Sequence, residues 1–168
     1  RGGRKKSANK HVSSKKEKNW NSATRLSDLL GDGVVGEVIY PNTVPPFYDA
    51  AFHISAPPAP ERYEHQLAGM RAHNRWLAEF CAEEPARRAG IGLIHLNNIT
   101  AAVAYVAWFA EKYLRAGVLL PLPAWSEKDH KPHDHPYYDS LCASIQHDEL
   151  VINSLSGLWS EFSEGSPV

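Results

Sequence analysis

The chain has 168 residues, enough for one domain with a hydrophobic core. Hydrophobic residues make up 43% of it and charged residues 22%, the proportions of a soluble globular protein. The formal net charge of -1 gives the whole chain no electrostatic reason to bind nucleic acid or a membrane surface. No apolar run is long enough to cross a bilayer and no secretory signal is visible, so we predict a cytoplasmic protein with no membrane partner.

The amino-terminal segment, residues 1–20, is basic and almost free of apolar side chains. Its cationic residues are Arg1, Arg4, Lys5, Lys6, Lys10, Lys15, Lys16 and Lys18. Such a segment cannot bury enough surface to offset its ordering entropy, so we predict a disordered tail over 1–20. A flexible extension is the favoured interpretation, and a polyanion-binding arm is the alternative. Nucleic acid is not the expected partner, because no aromatic platform for bases accompanies the charge.

From Thr24 onward the sequence alternates between helical and extended patterns. The predicted order is helix 24–30 (capped by Thr24), strand 34–40, helix 61–82, strand 89–96, helix 100–114, strand 118–121, helix 138–146 and strand 150–153. The proline-rich stretch 43–60 is predicted to be a long loop. The strands are apolar throughout, which is typical of a parallel sheet buried on both faces. The fold class is therefore α/β, and four such strands fit either an open sheet or half of an eight-stranded barrel.

Two cysteines, Cys81 and Cys142, lie inside the helical patterns without a partner at CxxC spacing. They predict neither a disulfide framework nor a tetrahedral metal site. We expect both to be small buried hydrophobic residues.

Four segments carry a family resemblance. They are DGVVGEVIYPN at 32–42, AHNRWLAEFC at 72–81, RRAGIG at 87–92 and GVLLP at 117–121. In this order and at this spacing they resemble the amidohydrolase-related family of metal-dependent TIM-barrel hydrolases and decarboxylases. The resemblance runs from about residue 26 to residue 157. It implies that 21–168 is a partial (β/α)8 TIM barrel, about half of one, containing roughly strands two to five.

The resemblance also implies a cofactor and a substrate. Family members hold a divalent, zinc-like metal that activates a bound water against a small-molecule substrate. The family's ligands are an HxH pair ending strand one, histidines ending strands five and six, and an aspartate ending strand eight. Only the strand-five position falls in this sequence, and Leu155 stands where family members have a histidine. We therefore expect a truncated or degenerate copy that binds no metal and is inactive alone.

One HxH pattern does occur, at His133-Asp134-His135, with His130 nearby. Two imidazoles at this spacing can share a metal ion, so His133 and His135 are the alternative metal site. The neighbouring prolines, Pro132 and Pro136, favour a solvated loop whose histidines lie on the surface.

Candidate pocket residues follow from barrel geometry, because side chains at the carboxyl ends of the strands face the active site. They are Tyr40, Asn42, His95, Asn97 and Asn153. His95 stands out, since imidazole titrates near neutral pH. The alternative for each residue is a hydrogen-bonded loop side chain.

Three hypotheses result. The first, which we favour, is an inactive hydrolase copy. The second is an enzyme assembled from two half-barrels, in which a partner chain supplies the missing ligands. The third is a non-catalytic binding or scaffold protein that uses the half-barrel and the basic arm. Since a half-barrel exposes two strand edges, self-association is expected.

Overall fold

The computed structural model describes residues 20–52, 55, 57–112, 114–121 and 131–154. Within them the helices are α1 (Ser22–Gly31), α2 (Tyr63–Ala82), α3 (Ile99–Glu111) and α4 (Asp139–His147). The strands are β1 (Glu37–Ile39), β2 (Arg88–Gly90), β3 (Gly92–Leu93), β4 (Val118–Leu119) and β5 (Ile152–Asn153). A 3-10 turn, Pro136–Tyr138, precedes α4. The tail predicted over 1–20 lies almost wholly outside this part of the chain, and so does Leu155.

Every described strand pair is parallel. β1 pairs with β2, and β3, β4 and β5 follow one another in a second ladder. Only Ile91 separates β2 from β3, so these two strands occupy one position in the sheet. The sheet therefore has four strand positions, which follow one another in chain order. The α/β prediction is confirmed. The described strands do not close into a barrel, and among the same residues no helix is long and apolar enough to span a bilayer.

Several local predictions were wrong, and the described strands are all shorter than predicted. Asn21, not Thr24, caps α1: the Asn21 side chain accepts a hydrogen bond from the Thr24 N–H at 2.9 Å. The strand predicted at 34–40 shrinks to Glu37–Ile39, and Val38 is 55% exposed, so this strand is not buried on both faces. Cys81 is buried as expected, but Cys142 is exposed.

The pairing of β1 ends where its sequence reaches Pro41. The Ile91 N–H donates to the Ile39 carbonyl at 3.2 Å, and the next bond of a parallel ladder would come from the N–H of residue 41. Proline has no N–H, so the ladder stops. Beyond the end of the β1 ladder, the Asn74 side chain of α2 pairs with the backbone of Leu93 on β3. Its Nδ2 donates to the Leu93 carbonyl at 2.8 Å, and its Oδ1 accepts from the Leu93 N–H at 3.0 Å.

Successive residues of the run 88–93 face two different hydrophobic clusters. A Cβ added to Gly90 would meet Leu77, and one added to Gly92 would meet Phe109, so these glycines let α2 and α3 approach the strands closely. Ile91 and Leu93 belong to the second cluster, which continues into the loop before α2. The residues of that cluster are Tyr48, Phe52, Leu67, Met70, Ile91, Leu93 and Leu119.

The amino ends of β1 and β2 carry a buried charge cluster. Glu37 accepts hydrogen bonds from the Arg25 Nε at 2.8 Å and from the Arg88 Nε at 3.1 Å. Arg88 also donates to the Ser22 hydroxyl at 2.6 Å and lies over the Phe80 ring at 4.2 Å from its centroid. This cluster joins α1 to the first two strands at their amino ends.

Gly117 is required by the chain immediately before β4. Its φ of +91° lies in the left-handed region, and a Cβ there would overlap the Val151 backbone. We expect Gly117→Ala to lower the free energy of unfolding by about 1–3 kcal/mol, measured by urea denaturation. Gly31→Ala is the matched control, because nothing lies within 4 Å of a Cβ at the end of α1. An equal loss of stability in both variants would contradict this explanation.

Candidate functional site

His95 lies two residues beyond β3 and is buried beneath the loop that precedes α2. Its Nε2 is hydrogen-bonded to the Tyr48 hydroxyl at 2.7 Å. The two rings are nearly parallel, with centroids 6.0 Å apart, and the rings of Phe52 and Tyr63 lie 5.7 and 5.8 Å from the imidazole. His95 therefore occupies an aromatic enclosure at the carboxyl end of its strand.

The electrostatics of this enclosure favour neutral groups. Burial raises the pKa of the Tyr48 phenol, and the neighbouring Tyr63 raises it further. Tyr48 therefore stays protonated over the physiological pH range and meets His95 as a neutral hydroxyl. The pair carries a charge only when the imidazole itself is protonated.

A second pair of predicted pocket residues meets across the sheet. The Tyr40 hydroxyl donates to the Asn153 Oδ1 at 3.2 Å, and the Asn153 Nδ2 donates to the Ala116 carbonyl at 2.6 Å. Tyr40 follows β1, and Asn153 lies on β5. In a flat sheet, edge strands three positions apart are separated by about 14 Å, and their side chains point the same way without meeting. The hydrogen bond therefore indicates a concave sheet with both side chains on its inner face.

A cavity of about 370 Å³ lies between β1 and the middle of α2. Its walls are Arg25, Val38, Ile39, Tyr40, Pro41, Asn42, Thr43, His73, Trp76 and Phe80. The Trp76 and Phe80 rings stack at 5.3 Å and form the apolar wall. Ligand pockets commonly combine such a wall with a few polar groups at about this size.

His73 is a polar residue of the cavity wall that lacks a hydrogen-bond partner at one ring nitrogen among the described residues. Its Nε2 is buried and makes no hydrogen bond to the part of the chain that the structure describes. Burial also lowers the pKa of the His73 imidazole, so the ring is neutral near pH 7. A buried ring nitrogen without a partner costs free energy that a bound hydrogen-bonding molecule would recover.

Asn42 and Asn97, the remaining candidate pocket residues, lie in different surroundings. Asn42 is exposed and lines the cavity, beside Tyr40. Asn97 is exposed and lies one residue before Asn98, whose side chain caps α3 by accepting from the Ala101 N–H at 3.0 Å. Tyr40 thus meets Asn153 in a hydrogen bond and shares the cavity wall with Asn42, and Asn97 takes part in neither arrangement.

In the alternative metal site, one ring nitrogen of His135 already accepts a hydrogen bond. The His135 Nδ1 accepts a hydrogen bond from the Tyr137 N–H at 3.0 Å and caps the 3-10 turn. His133 is half-buried, and burial lowers the pKa of its imidazole even though Asp134 acts to raise it. Over the described residues, no group of three or more His, Cys, Asp or Glu side chains lies close enough to hold a metal ion. His130 is outside that part of the chain.

Several important residues were not singled out from the sequence: Tyr48, Phe52, His73 and Asn74. Tyr48 and Phe52 belong to the proline-rich loop, where no periodic pattern indicates which side chains turn inward. His73 and Asn74 lie within the helical segment 72–81, where a polar side chain is ordinarily solvent-facing. One feature of the sequence indicates them. His73 and Asn74 are adjacent polar residues on a predicted helix, and the strand before that helix ends at a proline.

No protein family, curated protein or solved structure matches this chain. The resemblance to the amidohydrolase-related family therefore rests on the four sequence segments alone.

Proposed function

We propose that this chain is half of an amidohydrolase-related (β/α) barrel that keeps a small-molecule pocket and has lost the metal centre, so that it hydrolyses nothing alone. The observation that carries the proposal is the Tyr40–Asn153 hydrogen bond. It joins residues from opposite edges of a sequentially ordered parallel sheet. In a (β/α)8 barrel, side chains at the carboxyl ends of the strands meet in this way to form the active site.

The groups at those carboxyl ends do not fit a zinc-like ion. Zinc in proteins is held by thiolate, imidazole and carboxylate ligands. The candidate residues here offer a phenol (Tyr40), three amides (Asn42, Asn97 and Asn153) and a single imidazole (His95). The Nε2 of that imidazole is already hydrogen-bonded to Tyr48. We therefore assign no reaction step to a metal.

The cavity beside β1 suits a small molecule with an aromatic or apolar body and one neutral hydrogen-bonding head. Trp76 and Phe80 provide the apolar wall, and His73 and Asn42 are polar residues that line the same cavity. Arg25 also lines the cavity, but its guanidinium is already bonded to the Glu37 carboxylate. Because the His73 imidazole in the cavity wall is neutral near pH 7, a neutral head is favoured over a carboxylate.

The metal part of the proposal is tested by measuring zinc, manganese and iron per chain in size-fractionated protein. We expect metal contents far below stoichiometric, with no increase after zinc loading and desalting. One tightly held ion per chain would overturn this part of the proposal. The variants His133→Ala, His135→Ala and His95→Gln would then locate the ion.

The pocket is tested with benzamide, which has an aromatic ring and a neutral amide head. We expect benzamide to change the Trp76 fluorescence, and the change to disappear in Trp76→Phe. His73→Leu should weaken binding about tenfold, the effect of one hydrogen bond to a buried group. His65→Leu, an exposed position on the same helix, is the control and should bind as the wild type does. Binding that is equally strong in His73→Leu would contradict the assignment.

A further inference from the structure

The parallel sheet has two free edges within the described residues. On β1, the backbone groups of Glu37 and Ile39 point toward β2: the Glu37 N–H donates to Arg87 and the Ile39 carbonyl accepts from Ile91. The alternating groups of Val38 and Tyr40 therefore point away from β2. No described residue bonds to them.

β5, at the opposite edge, also has backbone groups that point away from its neighbouring strand. Val118 and Leu120 donate to the Val151 and Asn153 carbonyls, so the N–H and C=O of Ile152 point away from β4. Ile152 is 48% exposed, close to the 55% of Val38. Among the described residues, each edge thus presents peptide groups without partners beside apolar side chains, the combination that promotes strand addition.

The two edges are complementary in direction and curvature. The four strand positions are parallel and in chain order, and the Tyr40–Asn153 hydrogen bond requires them to curve around one concave face. An eight-stranded parallel barrel contains twice this number of strands. A half-turn about the barrel axis would place β5 of each copy beside β1 of the other, with all strands still parallel.

We propose that two copies of this chain pair β1 to β5 in both directions and close a (β/α)8 barrel. Each interface is heterologous, but the half-turn closes the ring after two members, so the assembly stops at a dimer. The pairing satisfies the peptide groups of Val38, Tyr40 and Ile152. This inference rests on the proposed half-barrel.

The test begins with the mass of the whole chain in solution by sedimentation velocity. We expect a discrete species of twice the chain mass of 18.7 kDa. Val38→Pro and Ile152→Pro each remove one edge N–H that has no partner in the described chain, and each should give a monomer. Val38→Thr and Ile152→Thr keep the N–H and the β-branch, and they should remain dimeric. Circular dichroism and urea unfolding check that the proline variants fold.

Mixing the two proline variants gives the sharpest result. A mixed dimer has one intact interface, formed by the undamaged β5 edge of one chain and the undamaged β1 edge of the other. We therefore expect partial recovery of the dimer in the mixture, although each variant alone is monomeric. Hydrogen exchange on the wild type gives an independent measurement, in which the Val38 and Ile152 amides should be protected and lose that protection on dilution.

A monomeric wild type would overturn the inference, as would an open-ended series of larger species. A dimer that survives Ile152→Pro would also overturn it, because it would have to form through β1 alone. Benzamide binding separates this outcome from failure of the proposed pocket. A monomer that binds benzamide through His73 rejects only the closed dimer, whereas a dimer that does not bind it rejects only the pocket.

Discussion

Asn74→Leu is expected to lower the free energy of unfolding by about 2–6 kcal/mol, because it leaves two buried backbone groups without partners at about 1–3 kcal/mol each. The Leu93 N–H and C=O are both bonded to the Asn74 amide and are closed off from water. β1 ends at Ile39 and its described hydrogen bonds reach only as far as Ile91, so it offers Leu93 no replacement. The measurement is urea denaturation followed by circular dichroism.

Gln66→Leu provides the matched control on the same helix. Gln66 is buried like Asn74, but the hydrogen bond that its side chain makes within the described residues, from Nε2 to the Phe47 carbonyl, is long at 3.5 Å. Its Oε1 has no partner among the described residues. Replacing this amide with leucine removes an unsatisfied group, so we expect stability to stay the same or to rise. If Gln66→Leu and Asn74→Leu lost the same stability, loss of helix packing would explain both, and the role assigned to Asn74 would be wrong.

The prediction of the fold from sequence worked where the pattern depends on local composition. The apolar runs near 118–121 and 150–153 and the helical periodicity of 61–82 and 100–114 all mark elements that the structure contains. The fold class followed from their alternation. Strand length did not follow, because it depends on partners. Val34 and Val35 have high strand propensity, but β1 begins only at Glu37, where the Arg87 carbonyl accepts its N–H.

The candidate site was predictable in part for the same reason. Tyr40 and Asn153 meet because the carboxyl ends of parallel strands lie at one edge of the sheet whatever the detailed packing, and their role as pocket residues stays a prediction. The surroundings of His95 were not predictable, since they come from Tyr48 and Phe52 in an irregular loop. Cys142 shows that residue type alone does not predict burial. It lies beside Leu141 on α4, but Leu141 is buried and Cys142 is exposed.

The buried charge cluster at the amino ends of β1 and β2 gives the second large effect. We expect Glu37→Gln to lower the free energy of unfolding near pH 7 by about 3 kcal/mol, within the range for breaking a buried ion pair. Removing the carboxylate leaves the Arg88 side chain, which is 1% exposed, without its counter-charge. Arg25 is 31% exposed and is partly rehydrated, which keeps the loss at the lower end of that range.

The pH dependence of this loss identifies its cause. Burial alone would raise the pKa of the Glu37 carboxyl, but hydrogen bonds and positive charge from Arg25 and Arg88 outweigh burial and leave the pKa below its usual value. A lowered pKa in the folded state adds stability that is complete above the unfolded value of about 4.3 and disappears as the pH falls through the folded value. The stability difference between wild type and Glu37→Gln should therefore be largest above about pH 5 and shrink in acid.

Asp49→Asn separates this effect from a general response of carboxylates to acid. Arg62 also lowers the pKa of Asp49, but Asp49 is 80% exposed, so solvent screens the pair. We expect Asp49→Asn to unfold at nearly the wild-type urea concentration from pH 7 to pH 4. If Glu37→Gln were just as destabilised at acid pH as at pH 7, packing of the side chain and not its charge would hold α1 against the sheet. A stability difference between wild type and Glu37→Gln that vanishes in acid would show that the Glu37 ion pairs hold α1 against the sheet.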